Sequence, residues 1–231
     1  MESISNQIKL KNKNDIDYYQ SLIDEVFDDI KVDLTTIKKS NIFTGVGDNG
    51  NTRLISGEFI SKGNILIETQ SMIQLLSAYL GECTSMIDND THNPNKKKLE
   101  FISNILKTSQ MDLQDIGTDL SSSSDKNSTK YIDVDYDHII YVLELLISFI
   151  DIQNDPLKNF ILTGGHIIAS KIFSAGAICR NIEPTLTRTS EKYIINEGIQ
   201  KYINRLSDFL FVLARYINKL FNVPDVIYIR K

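Results

Sequence analysis

The sequence predicts an all-α fold, an up-and-down bundle of five helices with an extra helix at its N-terminus. Three observations carry this. Long stretches repeat apolar residues on alternating three- and four-residue steps, and no stretch before Val223 alternates at period two for long enough to support a sheet. The chain has 231 residues, 42% of them hydrophobic, which suffices for one sizeable core and does not call for two full domains. The organisation read from this is an N-terminal helical extension over 1–40, a helical bundle over 41–223 and a C-terminal tail over 224–231.

Ile16, Tyr19, Ile23, Phe27 and Ile30 recur at helical spacing among acidic residues and predict an amphipathic first helix ending near the Lys38-Lys39 pair. From Asn41 to Gly63 the character changes: five glycines among Ser, Thr and Asn punctuate short apolar pieces, which reads as an ordered loop. Asn64 to Ile87 is helical again, and Asp88 to Lys98, with Pro94, is a polar break. Leu99, Ile102, Leu106, Leu113, Ile116 and Leu120 mark the next helix, with Ser109 in the one gap of the pattern. Ser121 to Thr129 reads as a surface loop.

Val134 to Ile152 predicts a further apolar helix, closed by Asn154-Asp155-Pro156. Gly164-Gly165 then opens a helix rich in small residues, Ala169, Ser170, Ser174, Ala175, Gly176 and Ala177, which suit either tight helix packing or a flat ligand. The last helix is the clearest: Ile195, Ile199, Tyr202, Leu206, Phe209, Leu213, Tyr216 and Leu220 form a bundle seam.

Charge and cysteine usage remove several classes of function. Lys and Arg number 25 against 30 Asp and Glu, for a net charge of -5, so the chain lacks the field that draws proteins to nucleic acid or anionic lipid. The longest apolar stretch, Ile139 to Ile150, is too short to span a membrane and carries Glu144. Cys83, Cys179, His92, His138 and His166 are too scattered for a disulfide framework or a zinc cluster, so no protein-held metal is expected. The N-terminus has no apolar targeting core. These features predict a soluble chain of a reducing compartment, the cytoplasm, or the mitochondrial matrix if a transit peptide has been removed.

TGVGDNG, containing Gly45, Gly47 and Gly50, satisfies G-x-G-x-x-G literally but lacks the strand and helix that a dinucleotide fingerprint needs. What remains is a glycine-rich loop with Thr44, Asp48, Thr52 and Arg53, whose backbone N–H groups and one cation suit phosphate; an ordinary turn is the competing reading. Arg180 and Glu183 share a face at i and i+3 near the end of the small-residue helix, where an isolated pair is usually a weak surface ion pair. Asn204, Arg205 and Asp208 lie on the polar side of the last helix. No catalytic triad, Cys-His pair or paired carboxylates can be argued from spacing.

Three segments in order, Thr44 to Glu58 (TGVGDNGNTRLISGE), Phe160 to Glu183 (FILTGGHIIASKIFSAGAICRNIE) and Ile203 to Tyr216 (INRLSDFLFVLARY), resemble the trimeric cobalamin adenosyltransferases of the propanediol-utilisation type. Leu113 to Leu120 (LQDIGTDL) adds to the likeness, which covers about residues 41 to 221. The resemblance implies a ferritin-like five-helix bundle, a homotrimer with ATP between neighbouring subunits, the corrinoid beside it and Mg2+ on the triphosphate. It implies transfer of the 5′-deoxyadenosyl group of ATP to the cobalt of cob(I)alamin, with a cobalamin reductase or a cobalamin-dependent acceptor enzyme as partner. The reduced cobalt is the nucleophile, so the protein supplies positioning and electrostatics and needs no side-chain nucleophile.

Carried over by position, Thr44, Gly47, Asp48, Gly50 and Thr52 match the phosphate-binding segment, with Arg53 beside them. Arg180 and Glu183 match part of the helix signature, Asn204 the nucleotide-contacting asparagine, and Phe160 the phenylalanine under the corrin ring that helps remove the lower axial ligand. The departures are Gly45, where the family has a basic residue, and Gly176, Asn181 and Pro184, where its helix signature has arginines. The family aspartate paired with the first of these arginines is Gln74 here. Loss of one member of a buried pair strands a charge at roughly 3–5 kcal/mol, whereas loss of both strands none. A catalytically impaired bundle that binds nucleotide or corrinoid, or acts as an interaction protein, is the alternative expectation.

Overall fold

The computed structural model describes residues 13–27, 31–38, 40–90, 93–122 and 132–230. It divides into two units, 1–49 and 50–231. Among the sequence expectations, Ile30, Lys39, His92 and most of the Ser121 to Thr129 loop lie outside the described residues.

The first unit carries α1, Lys13–Val26. The helix stops well before the Lys38-Lys39 pair, where the sequence pattern had placed its end, and turn chemistry explains this. The Gln20 amide donates to the Val32 carbonyl at 2.7 Å and accepts from Leu34 N–H at 2.9 Å, which folds the chain back along the helix. Asp33 then accepts from Thr35 N–H in an Asx turn.

In the second unit a short hairpin, β1 (Asn51–Arg53) with β2 (Phe59–Ser61), precedes α2 (Ile65–Asn89), α3 (Lys96–Ser122), α4 (Tyr136–Asp151), α5 (Ile167–Ser190) and α6 (Glu197–Leu220). Between α4 and α5 lies β3, Ile161–Leu162, which pairs antiparallel with β4, Val226–Ile227. The fold is all-α, as the apolar periodicity predicts. Among the described residues its two sheets are two-stranded and two or three residues long, below the length at which alternation can be read.

Helix adjacency runs α3, α2, α5, α6, α4. The core is made by the residues that carry the periodicity: Leu66, Leu76 and Leu80 of α2, Leu106, Ile116 and Leu120 of α3, and Ile199, Tyr202, Leu206, Phe209 and Leu213 of α6 are fully buried. The small residues of α5 resolve into two sets. Ala169, Ala175 and Gly176 are buried, the last against Leu210 of α6, so tight helix packing explains them; Ser174 and Ala177 remain exposed.

Polar ties hold the bundle in register. Thr69 and Thr189 hydroxyls meet at 2.8 Å between α2 and α5, Tyr202 donates to Asp112 of α3, and Tyr136 at the start of α4 donates to Asp119 of α3. Asn64 and Asn196 cap α2 and α6 by accepting from the N–H two residues on. No helix among the described residues is long and apolar enough to cross a membrane.

Candidate functional site

The α5–α6 face gathers three of the sequence-predicted residues. Asn204 Nδ2 donates to Glu183 Oε2 at 3.3 Å, and Arg205 Nη1 donates to Asn204 Oδ1 at 3.1 Å. Arg205 Nε in turn reaches Glu144 Oε1 of α4 at 2.8 Å. Asn204 is therefore held from both sides in a polar chain that crosses three helices. Glu144 was visible in the sequence as the charge interrupting an apolar run, but its partner was not.

Beneath this strip the Cys179 thiol donates to the Ile203 carbonyl at 3.2 Å, joining α5 and α6 one residue away from both Arg180 and Asn204. Burial raises the pKa of that thiol strongly and neighbouring Glu183 adds to the rise, while Arg180 opposes it. Arg180 is exposed and lies three residues before Glu183 on α5, which puts this cation on the same helix face as the carboxylate that holds Asn204. The sequence places Arg180 and Glu183 near the end of their helix. The structure corrects this: α5 continues through Pro184 to Ser190, and the pair lies in its interior.

The glycine loop falls across the division of the chain. In the first unit Thr44 Oγ1 accepts from Val46 N–H at 3.4 Å, and Asp48 N–H donates to the Gly45 carbonyl at 3.2 Å in a turn that contains Gly47. Gly45 has φ 78°, a conformation other residues adopt only with strain. The turn is therefore built on a glycine at the position where a basic residue was expected. In the second unit the Gly50 carbonyl accepts from Lys62 N–H, Thr52 pairs with Ile60 across the hairpin, and the Arg53 guanidinium lies 4.6 Å over the ring of Phe59.

Phe160 is 84% exposed. It immediately precedes β3, and its carbonyl accepts from Tyr228 N–H at 2.8 Å. The segment read from sequence as a tail thus forms a strand beside the candidate ring. Gln74 is exposed and lines a cleft of about 250 Å³ with Gln70, Gln114 and Thr118 between α2 and α3, whereas Gly176 faces Leu210. A pair between these two positions is not a buried pair within one chain.

Residues 42–217 match the family model described as cobalamin adenosyltransferase. A corrinoid adenosyltransferase of Bacillus subtilis (strain 168) is 29% identical over 189 residues, covering 82% of this chain and 92% of that protein. One from Citrobacter freundii is 30% identical over 185 residues, covering 80% and 97%. A solved variant of the PduO-type ATP:corrinoid adenosyltransferase from Lactobacillus reuteri, complexed with cobalamin and ATP, superposes with a TM-score of 0.73 at 29% identity, covering 82% of this chain and all of that one. Match, identity and superposition agree with the all-α bundle: the chain belongs to the cobalamin adenosyltransferase family.

Proposed function

We propose that this chain transfers the 5′-deoxyadenosyl group of ATP to the cobalt of cob(I)alamin. The cobalt lone pair forms the Co–C bond to the 5′ carbon, the C–O bond to the triphosphate breaks, and triphosphate leaves with that electron pair. The observation that carries the reading is the α5–α6 face, where Arg180, Glu183 and an Asn204 fixed by two partners stand together, in a family whose solved relative holds both cobalamin and ATP. No side chain needs to act as nucleophile, so the protein's share is to hold the 5′ carbon in line with cobalt and to stabilise the leaving charge.

In this account Asn204 orients the nucleoside, Arg180 stabilises negative charge on the phosphates, and Glu183 keeps the Asn204 amide turned. In the second unit Gly50, Thr52 and Arg53 supply a backbone N–H, a hydroxyl and a cation suited to phosphate, and in the first unit Thr44, Gly47 and Asp48 form a loop of the same phosphate-binding type. Mg2+ fits as a companion of the triphosphate, because it takes one or two carboxylates plus substrate phosphates, and Asp48 is the exposed carboxylate of that loop. Exposed Phe160 meets the corrinoid and favours loss of its lower axial ligand.

A homotrimer with ATP between subunits suits the exposed apolar stripe of α4, where Tyr141, Leu145 and Phe149 stand one turn apart and about half exposed. Cob(I) must be generated by reduction, so a cobalamin reductase belongs among the partners. Both cysteines are free and buried, which suits the reducing cytoplasm.

Calorimetric titration of ATP, paired with steady-state kinetics, tests the assignment of roles. Arg180→Ala is expected to weaken ATP binding about tenfold to a hundredfold, the loss of one charge-assisted contact. Phe160→Ala is expected to leave ATP affinity intact and lower kcat. Equal ATP affinity in wild type and Arg180→Ala would remove Arg180 from the nucleotide site.

A further inference from the structure

Phe160 is exposed enough that its own packing cannot fix its ring; the backbone on either side must do so. The ladder beside it, Ile161 with Ile227 and Leu162 with Val226, has only two residue pairs, too few to be stable alone. The anchors come from the end of α6. Arg215 is 5% exposed, and its guanidinium makes two bonds: Nε to Asp225 Oδ2 at 2.8 Å and Nη2 to the Asp155 carbonyl at 2.7 Å. Asp155 lies on the approach to Phe160 and Asp225 immediately before β4, so one side chain holds the entry to both strands.

Neighbouring α6 residues secure the rest of the loop. Asn154 Nδ2 donates to the Val212 carbonyl at 2.9 Å. Asn218 accepts from His166 N–H at 2.9 Å and donates to the Gly164 carbonyl at 2.8 Å. A Cβ on Gly165, which has φ 109°, would collide with the Asn218 amide, so this close approach requires glycine. The His166 ring stacks on Phe221 at 3.6 Å.

We propose that Arg215 is a positioning residue for Phe160: by bridging Asp155 and Asp225 it pins the loop and the C-terminal strand that present the ring. The catalytic consequence rests on the reading of Phe160 given above; the structural claim does not. A planar guanidinium with fixed, divergent donors suits this bridge, whereas a lysine ammonium lacks the fork that reaches both partners in this geometry. Because Arg215 is buried, loss of the Asp225 charge removes its bonded carboxylate and leaves only the exposed Asp155 carboxylate, shared with Lys219, facing it.

Hydrogen–deuterium exchange on the full chain tests the structural claim, with Asp225→Asn as the mild variant and Arg215→Lys as the second. Peptides covering 155–165 and 225–230 are expected to exchange about tenfold faster in both, with α2 and α3 unchanged. Unchanged exchange in those peptides overturns the proposal whatever Phe160 does. The functional arm measures, by electron paramagnetic resonance, the share of bound cob(II)alamin that has lost its lower axial ligand at saturating ATP. Asp225→Asn is expected to lower that share towards the Phe160→Ala value without changing ATP affinity. The double variant should fall no further than Phe160→Ala alone; losses that add would overturn the positioning role. If Phe160→Ala leaves the share unchanged while exchange accelerates in the two variants, the anchor stands and the reading of Phe160 fails.

Discussion

Asp112 shows how a single buried contact makes stability depend on pH. Burial raises its carboxyl pKa, and the bond donated by Tyr202 offsets part of that rise. The folded state therefore binds this proton more tightly than the unfolded chain, and stability falls as pH rises from the ordinary carboxylate value to the raised one. Asp112→Asn keeps an acceptor for Tyr202 and removes the penalty. In denaturant melts it is expected to be more stable than wild type at pH 7, with the difference closing as pH drops through the carboxylate range. Thiol chemistry follows the same logic, since burial pushes Cys83 up to about 11 and Cys179 higher still. Neither is expected to react with a thiol reagent at pH 8 until the chain is unfolded. Among glycines, a Cβ at Gly198 would collide with Tyr136, whereas one at Gly176 meets Leu210 at an ordinary 3.5 Å. Gly198→Ala should cost about 1–3 kcal/mol, and Gly176→Ala should add about 0.5–1 kcal/mol, both read from unfolding midpoints.

At the scale of elements, what the sequence revealed is what periodicity can carry. The long helices follow the apolar steps from Asn64 onwards, and α6 follows its seam from Ile199 to Leu213. Where order depends on one hydrogen bond or a two-residue ladder, nothing in the pattern announces it. The end of α1 was set by the Gln20 side chain, and β3–β4 by pairing across more than sixty positions. For the site, residue types were legible through resemblance, but the partners that hold them were not: Glu144 behind Arg205, and Arg215 behind the Phe160 loop, are contacts between distant segments. Pro184 shows tertiary packing overriding local preference, because α5 runs six residues past it. Proline there leaves the Arg180 carbonyl without its helical donor. Pro184→Ala is expected to raise stability by about 1–3 kcal/mol, and an unchanged or lower midpoint would show that the helix gains elsewhere from its proline.

For the whole molecule, the proposed homotrimer would cover the α4 stripe and complete the nucleotide site, so light scattering is expected to return about three times the 26.3 kDa chain mass. The family resemblance calls for basic residues at positions 45, 176 and 184, where this chain has Gly45, Gly176 and Pro184. Whether the site is competent despite them is read by one experiment. The anaerobic spectrum of chemically reduced cob(I)alamin is followed over time with ATP, Mg2+ and purified protein. The account predicts loss of the cob(I) bands that depends on both protein and ATP, with triphosphate released in equal amount. Persistence of those bands over folded, trimeric, ATP-saturated protein would contradict it, leaving a bundle that holds its ligands without joining them.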